Sequence, residues 1–329
     1  MGGITDVEGV LVGHAHDAAA LTGCTVIMVP DGAVVGVDVR GSAPGTRETD
    51  LMRPGNVVEK AQAVVLSGGS AYGLDASAGV MEYLEEKGYG FPTDFGRVPI
   101  VGSAVIFDLD IGDPRRRPDK LMGRAACEQA SAAPSPEGNV GAGIGATVGK
   151  SMGPQYAMKG GLGTAGRKLA GPSGEVVVAA LVVVNSLGDV VDPANGTVLA
   201  GAFDRQARQF VGPGAGRLPA RQPEGMAGAN TTIAVVATDA ILNKEGANKV
   251  AAMAHDGIAR AILPAHTMFD GDTVFCLATG RKGLWGNRAA DVTSVGALAA
   301  EVLSEAITRA VRAAEDAGGY LSMAGAKLA

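Results

Sequence analysis

Apolar residues come in unbroken runs through the first two thirds of the chain, at 24–29, 34–39, 63–66, 100–106 and 176–184. Runs of this kind, rich in β-branched residues and bounded by Gly and Pro, predict strands buried on both faces rather than hairpins washed by solvent. Two stretches break the pattern with helical spacing: 72–86, after the Gly68-Gly69 turn, and 119–132, just past Pro118. The segment 134–168 is dense in glycine and weakly periodic, which predicts close-packed strand and loop where backbones approach a neighbour. Residues 207–229 hold three prolines and few large apolar side chains, and read as an exposed linker. Beyond it the order becomes strand–helix–strand–helix. A β-branched run at 231–237 precedes a helix at 244–262 with Val250, Met253, Ile258 and Ile262 on one face. A short strand at 273–278 precedes a long helix at 291–314, for which Asp291 is the candidate N-cap.

Composition narrows the class. The chain has 329 residues, 47% hydrophobic and 19% charged, with 50 glycines. That length buries a sizeable core, and the apolar fraction excludes a disordered chain. A net charge of -6 leaves no basic excess to neutralise phosphates, so a general nucleic-acid binder is not expected. Cys24, Cys127 and Cys276 form neither a metal-spaced pair nor an even framework, which points to a reducing compartment. The start, Met1-Gly-Gly-Ile-Thr-Asp, has no basic or apolar leader character, and no apolar run is long enough to span a bilayer. The expectation is a cytoplasmic protein without a membrane partner.

Several motifs fail on spacing. Gly69-Ser70-Ala71 approaches the nucleophile elbow of serine hydrolases, but Tyr72 displaces the second glycine. Gly141-Ala-Gly143-Ile-Gly145-Ala146 meets the loose dinucleotide fingerprint yet leads into Thr147-Val148 rather than a helix. Gly149-Lys150-Ser151 has Ile144 where a phosphate loop needs its first glycine. His14, His16, His255 and His266 show no zinc spacing, and no Ser-His-Asp triad assembles from them. A hydrolase without a histidine base needs another proton acceptor. Asn230-Thr231 sits where a loop enters a buried strand, and a chain cut there would place a free α-amine beside the Thr231 hydroxyl. With an ordinary pKa of about 7.7–8.0, that amine is a competent base. Asp270-Gly271-Asp272 lies just before the next strand and presents two carboxylates at i, i+2. On spacing alone, an ordinary strand start and an ordinary Asp-Gly turn are the simpler accounts of these residues.

The segments Gly228-Ala-Asn230-Thr231-Thr232-Ile233 and His266-Thr-Met-Phe-Asp270-Gly-Asp272-Thr273 resemble the self-cleaving hydrolases related to D-esterase/L-aminopeptidase (DmpA). That group includes the β-aminopeptidases and the 6-aminohexanoate (nylon) oligomer endohydrolase. Upstream, Val37-Asp38-Val39-Arg40-Gly41, Leu66-Ser67-Gly68-Gly69-Ser70-Ala71-Tyr72-Gly73-Leu74, Ser103-Ala104-Val105-Ile106, Pro118-Asp119-Lys120 and the stretch from Gly143 to Lys150 follow in the family's order.

The resemblance implies an α/β fold, a four-layer α/β/β/α sandwich of the DmpA/ornithine-acetyltransferase type. It implies cleavage between Asn230 and Thr231, giving an α-subunit (1–230) and a β-subunit (231–329) that remain one compact domain. Thr231 is carried over as nucleophile, and Asp270 and Asp272 as its supporting acidic pair, where other branches have a serine at the first position. Lys150 and Asn185 match site-lining residues, Asn185 as an oxyanion donor. The implied chemistry is amide hydrolysis of a small peptide or ω-amino acid oligomer through an acyl-threonine, with no cofactor and no metal. The alternatives are an acyltransferase of the ornithine-acetyltransferase kind and a binding protein with a degenerate site. Phe107 departs from the tyrosine found in several relatives. The resemblance, with the alanine-rich apolar stripe of the last helix, leads to the expectation of a homotetramer of processed heterodimers.

Overall fold

The computed structural model describes residues 2–172, 174–211, 230–286 and 288–326. The expected linker therefore lies largely outside the described residues. Its described beginning is part of a small hairpin pairing Phe203–Asp204 with Gln209–Phe210.

The strands that position the site are β1 (Leu11–Asp17), β2 (Thr22–Val39), β3 (Thr46–Arg47), β4 (Lys60–Ser67), β5 (Val101–Val105), β6 (Gly161–Gly171), β7 (Gly174–Asn185), β8 (Thr231–Ala240) and β9 (Thr273–Lys282). They form one nine-stranded sheet in the order β6-β7-β8-β9-β2-β4-β5-β3, with β1 on the other edge of the first half of β2. The pairs β8/β9 and β4/β5 are parallel; the rest are antiparallel.

The two apolar runs at 24–29 and 34–39, read as separate strands, are one strand of 18 residues. Its first half pairs with β1 and β4; beyond Pro30-Asp31-Gly32, where Gly32 adopts φ +80°, Ala33 and Val34 still pair with β4 and the stretch from Val34 to Val39 pairs with β9. The sheet turns over itself at this point. Val177, Leu181 and Val183 of β7, Ile233 and Val235 of β8 and Phe275 of β9 then share one core with Ile27, Val64 and Leu66 of β2 and β4. Their neighbours in sequence, such as Val178, Val182, Ala234, Val236 and Val274, face the helices α3 (Lys244–Ala261) and α4 (Arg288–Arg312). Val26, Met28, Ala63 and Val65 face α1 (Ala76–Glu86) and α2 (Lys120–Glu128) on the outside of the other half. The alternation of side chains along each strand thus feeds a central layer and two outer layers. The expected four-layer sandwich is borne out, and with it the strands buried on both faces.

Small residues let the layers close. A Cβ on Gly79 would lie 1.9 Å from the Lys120 carbonyl oxygen, and one on Gly123 would lie 2.0 Å from that of Ala76, so α1 and α2 touch backbone to backbone. The glycine-dense segment behaves as expected, since a Cβ on Gly143 would stand 2.4 Å from the Leu162 nitrogen.

Three expectations need correction. The helix at 72–86 begins later, at Ala76, because Gly69 and Ser70 hold φ of +81° and +53° and impose a tight 3-10 turn over Ser70–Asp75 first. Asp291 is not the N-cap of α4. It lies in the first turn and accepts a hydrogen bond from the Trp285 nitrogen at 3.0 Å. Finally, the apolar stripe of α4 is consumed within the chain: Val295, Ala299, Val302, Ala306, Ala310 and Val311 are all fully buried, in the core shared with α3 and β7. That stripe leaves no face for a partner subunit.

Candidate active site

The central layer ends in polar residues. On β7, Leu181 and Val183 are followed at the same parity by Asn185; on β8, Val235 and Ile233 are preceded by Thr231. Antiparallel register sets Asn185 directly opposite Thr231. Both side chains are buried, Asn185 completely and Thr231 at 3% exposure.

The Thr231 hydroxyl donates to the carbonyl oxygen of Asn230, and the same oxygen accepts the Gly271 N–H at 2.9 Å. The hydroxyl therefore lies against the peptide carbonyl of its own N-terminal bond, and a backbone donor polarises that carbonyl. Asn185 Oδ1 accepts from the Thr147 nitrogen (2.9 Å) and from Lys150 Nζ (3.0 Å), while its Nδ2 donates to the Phe107 carbonyl (3.0 Å). Phe107 thus contributes through its backbone, a contact indifferent to the missing tyrosine hydroxyl. Burial pulls the Lys150 ammonium down to about 8 against the opposing charges of Asp110, Asp270 and Asp108.

The acidic pair divides its work. Asp270 Oδ2 accepts from the nitrogen (2.8 Å) and the hydroxyl (2.6 Å) of Thr267. Burial, with the charge of Asp272 beside it, pushes its carboxyl up to about 6. Asp272 accepts the Thr232 N–H on Oδ1 (2.7 Å) and, on Oδ2, both the backbone N–H (3.1 Å) and Nδ1 (2.8 Å) of His266. The turn carrying both is fastened by the 40–43 loop: Arg40 and Gly41 N–H groups donate to the Asp272 carbonyl, and Ala43 N–H to that of Asp270. Structure therefore brings Thr231, Asn230, Asn185, Lys150, Asp270 and Asp272 into one buried cluster.

Three contributors escape a reading of motifs. Lys159 is fully buried, with Nζ against the carbonyl oxygens of Gly143 (3.0 Å), Ala146 (2.8 Å) and Gly160 (3.1 Å), and so sets the backbone that presents Thr147 to Asn185. Asp108 accepts from Thr22 Oγ1 (2.8 Å) and the Gly69 nitrogen (2.6 Å), and burial raises it to about 6. His266 lies inside a quoted motif, but its grip on Asp272 depends on a φ of +56° that the sequence does not signal. The other histidines stay out of the site. His14 is held by Thr25 and Ser135, and His255 packs in α3 with Nε2 donating to the Asp38 carbonyl at 3.0 Å. No cluster of potential metal ligands occurs among the described residues.

The architecture matches solved structures closely. It superposes on the L-aminopeptidase D-Ala-esterase/amidase of Ochrobactrum anthropi, described as a variant of the Ntn hydrolase fold, with a TM-score of 0.71 at 21% identity, covering 96% of this chain and 87% of that one. The β-aminopeptidase of a Burkholderia species matches at 0.72 and 23%, covering 99% and 91%. The fold is accordingly that of the N-terminal-nucleophile hydrolases. The chain belongs to peptidase family S58, whose model matches residues 2–323. An uncharacterized aminopeptidase of Mycobacterium leprae is 44% identical over 355 aligned positions, covering 99% of this chain and 94% of the relative. The 6-aminohexanoate-oligomer endohydrolase of Paenarthrobacter ureafaciens is 35% identical over 315, covering 93% and 84%. The protein is a hydrolase of peptide or amide bonds.

The tight packing at Gly271 makes it a test of the site. A Cβ there would stand 2.8 Å from Thr231 Oγ1 and 2.8 Å from the Ala43 carbonyl oxygen. Gly271→Ala is expected to fold with a loss of about 1–3 kcal/mol, as for other overpacked positions, and, if the chain is cut between Asn230 and Thr231 as the resemblance implies, to slow that cut at least roughly tenfold by displacing the hydroxyl. Thermal unfolding and the rate of fragment appearance measure the two effects. A folded variant cut at the wild-type rate would refute the steric argument.

Proposed function

We propose that the protein is an N-terminal-threonine amide hydrolase that first cuts its own chain between Asn230 and Thr231. The observation that carries this reading is the Thr231 hydroxyl lying against the Asn230 carbonyl while Gly271 N–H holds the same oxygen at 2.9 Å. In the uncut chain Asp270, raised to about 6, takes the hydroxyl proton as Oγ1 attacks the Asn230 carbonyl carbon. The Gly271 N–H stabilises the developing oxyanion. Asp270 returns that proton to the Thr231 nitrogen as the C–N bond breaks, so the nitrogen leaves as an amine, and water then hydrolyses the resulting ester to free the Asn230 carboxylate and the Thr231 hydroxyl.

The new α-amine then becomes the base for turnover. It accepts the Thr231 hydroxyl proton as the oxygen attacks a substrate amide, and passes that proton to the departing amine. Asn185 and backbone N–H groups hold the oxyanion, and one such donor is typically worth about 2.7–4 kcal/mol in the barrier. Water, activated by the same amine, releases the acyl group. The substrate class is a small peptide or an ω-amino acid oligomer, a reading supported by relatives described as an aminopeptidase and as a 6-aminohexanoate-oligomer endohydrolase. Release to water, not transfer to an amine, fits a peptidase family.

Intact-mass measurement at neutral pH tests the reading. Two fragments are expected, the second beginning at Thr231. Thr231→Ala remains one chain and is inactive, because both reactions use the same hydroxyl. Thr232→Val is still cut: the Thr232 hydroxyl is buried without a hydrogen-bond partner among the described residues, so losing it costs little. An uncut chain with full activity would eliminate the mechanism, and blockage by Thr232→Val but not Thr231→Ala would move the nucleophile by one residue.

The pH dependence of self-cleavage follows from two groups. Asp270 works as a base only when ionised, so the rate falls as pH drops through about 6. Lys150 donates to Asn185 most strongly as an ammonium, so the rate falls again as pH rises through about 8. A bell between those inflections is expected for freshly purified precursor, in which no free Thr231 amine contributes. A rate constant that is flat from about pH 5 to 9 would contradict both assignments.

Assembly as a homotetramer of cut heterodimers remains part of the proposal, but its surface lies away from α4. Phe91, Phe95 and Val98 form an exposed hairpin with Phe95 fully open to solvent, the kind of apolar surface a second subunit covers. Light scattering at micromolar protein is expected to give four times the protomer mass; a single-protomer mass at every dilution would exclude the tetramer.

A further inference from the structure

His266 has a geometry that the cleavage chemistry above leaves without a task. It is a non-glycine residue held at φ +56°, a conformation retained only where the surroundings enforce it. That conformation turns both its backbone N–H (3.1 Å) and its Nδ1 (2.8 Å) onto the same oxygen, Oδ2 of Asp272. The other oxygen of Asp272 accepts the Thr232 N–H at 2.7 Å. All of these contacts bring a donor to the carboxylate, so Nδ1 of His266 carries the ring proton. The second carboxylate of the pair therefore grips the backbone one residue past the nucleophile, while the first accepts from Thr267.

We propose that His266 is a positioning residue for the amide-cleaving centre: it clamps Asp272, and through Asp272 fixes the start of β8 so that the Thr231 hydroxyl stays against the carbonyl it attacks. The inference rests on the reading of Thr231 as nucleophile. It assigns Asp272 to holding backbone and leaves proton exchange to Asp270. The environment of His266 suits a fixed strut. The His255 ring of α3 packs edge-on against it, with centroids 4.8 Å apart and an interplanar angle of 71°. Burial keeps His255 down at about 4, hence neutral, so it does not compete for Asp272. Behind His255 stand Asp38, whose carbonyl it contacts, and Arg40, which pairs with the Asp38 carboxylate at 2.9 Å.

Two substitutions separate positioning from bulk structure. Asn adopts the left-handed conformation readily, and its Nδ2 sits one bond from Cγ, as Nδ1 does in histidine. Gly keeps the backbone conformation and removes the side-chain donor. The first-order rate of self-cleavage, followed by intact mass on folded precursor, is expected to drop roughly ten- to a hundredfold in His266→Gly, the span of one charge-assisted hydrogen bond. His266→Asn is expected to recover it to within about threefold. A folded His266→Gly chain cut at the wild-type rate would overturn the proposal. So would a folded His266→Asn chain as slow as His266→Gly, or, should the Gly variant not fold, one slowed more than about tenfold. The nucleophile assignment is judged apart from this: if Thr231→Ala is still cut, that assignment fails, whereas an inert Thr231→Ala with a fully active His266→Gly removes only the role of His266.

Discussion

The pairing of Asn185 with Thr231 places two polar side chains at the end of an otherwise apolar layer between the two halves of the sheet, and their burial there sets the terms for every neighbouring group. A buried polar atom without a partner costs about 1–3 kcal/mol, so the surroundings must supply donors and acceptors. They do so from distant parts of the chain. Thr147 and Lys150 turn to Asn185, the Phe107 carbonyl receives its amide, and the Asp270–Asp272 turn meets the start of β8. Each contact also draws together a different strand end. The site and the closing of the sandwich at this end are one hydrogen-bonded network.

Electrostatics follow from the same burial. Lys159 lies fully buried, and Lys150, Asp108 and Asp270 are nearly so; burial alone would drive all four toward neutrality. Acidic and basic members offset one another, as the opposing influence of Asp108 and Asp270 on Lys150 indicates. The outcome is a set of titrating groups spread between about 6 and 8, the range in which proton transfer near neutral pH is most effective. Asp189 is raised to about 6 by the same burial, next to Ala202 instead of the Thr231 cluster, so a shifted carboxyl is not by itself a mark of the site.

The sandwich relates these groups through the turn within β2. If the halves of β2 were separate hairpins, the face carrying Ile27 would have no opposite sheet on which to pack. Because the strand continues through Pro30-Asp31-Gly32, β4 and β5 are carried over the β7–β9 half, and Phe107 and Asp108, just beyond β5, arrive beside Asn185 and Gly69. A long strand shared by both halves thus joins the segments that supply the site.

Much of this was legible in the residues themselves. Continuous β-branched runs named the buried strands, and helical spacing named α3 and α4, because burial periodicity is a local property of the backbone. The ordered motifs around Asn230-Thr231 and Asp270-Gly271-Asp272 pointed to one family and one cluster. Tertiary structure alone decided the rest. Whether two apolar runs make one strand or two depends on partners far away in sequence. Whether the stripe of α4 meets a partner or its own core depends on how much of it β7 and α3 cover. Lys159 and Asp108 carry no local signature, since their roles are set by carbonyls and amides brought to them by other segments, and His266, though part of a motif, gives no sign along the chain of the backbone turn that aims it at Asp272. A pattern along a chain records which side chains avoid water; which polar atoms meet once they have done so is settled only when the layers close.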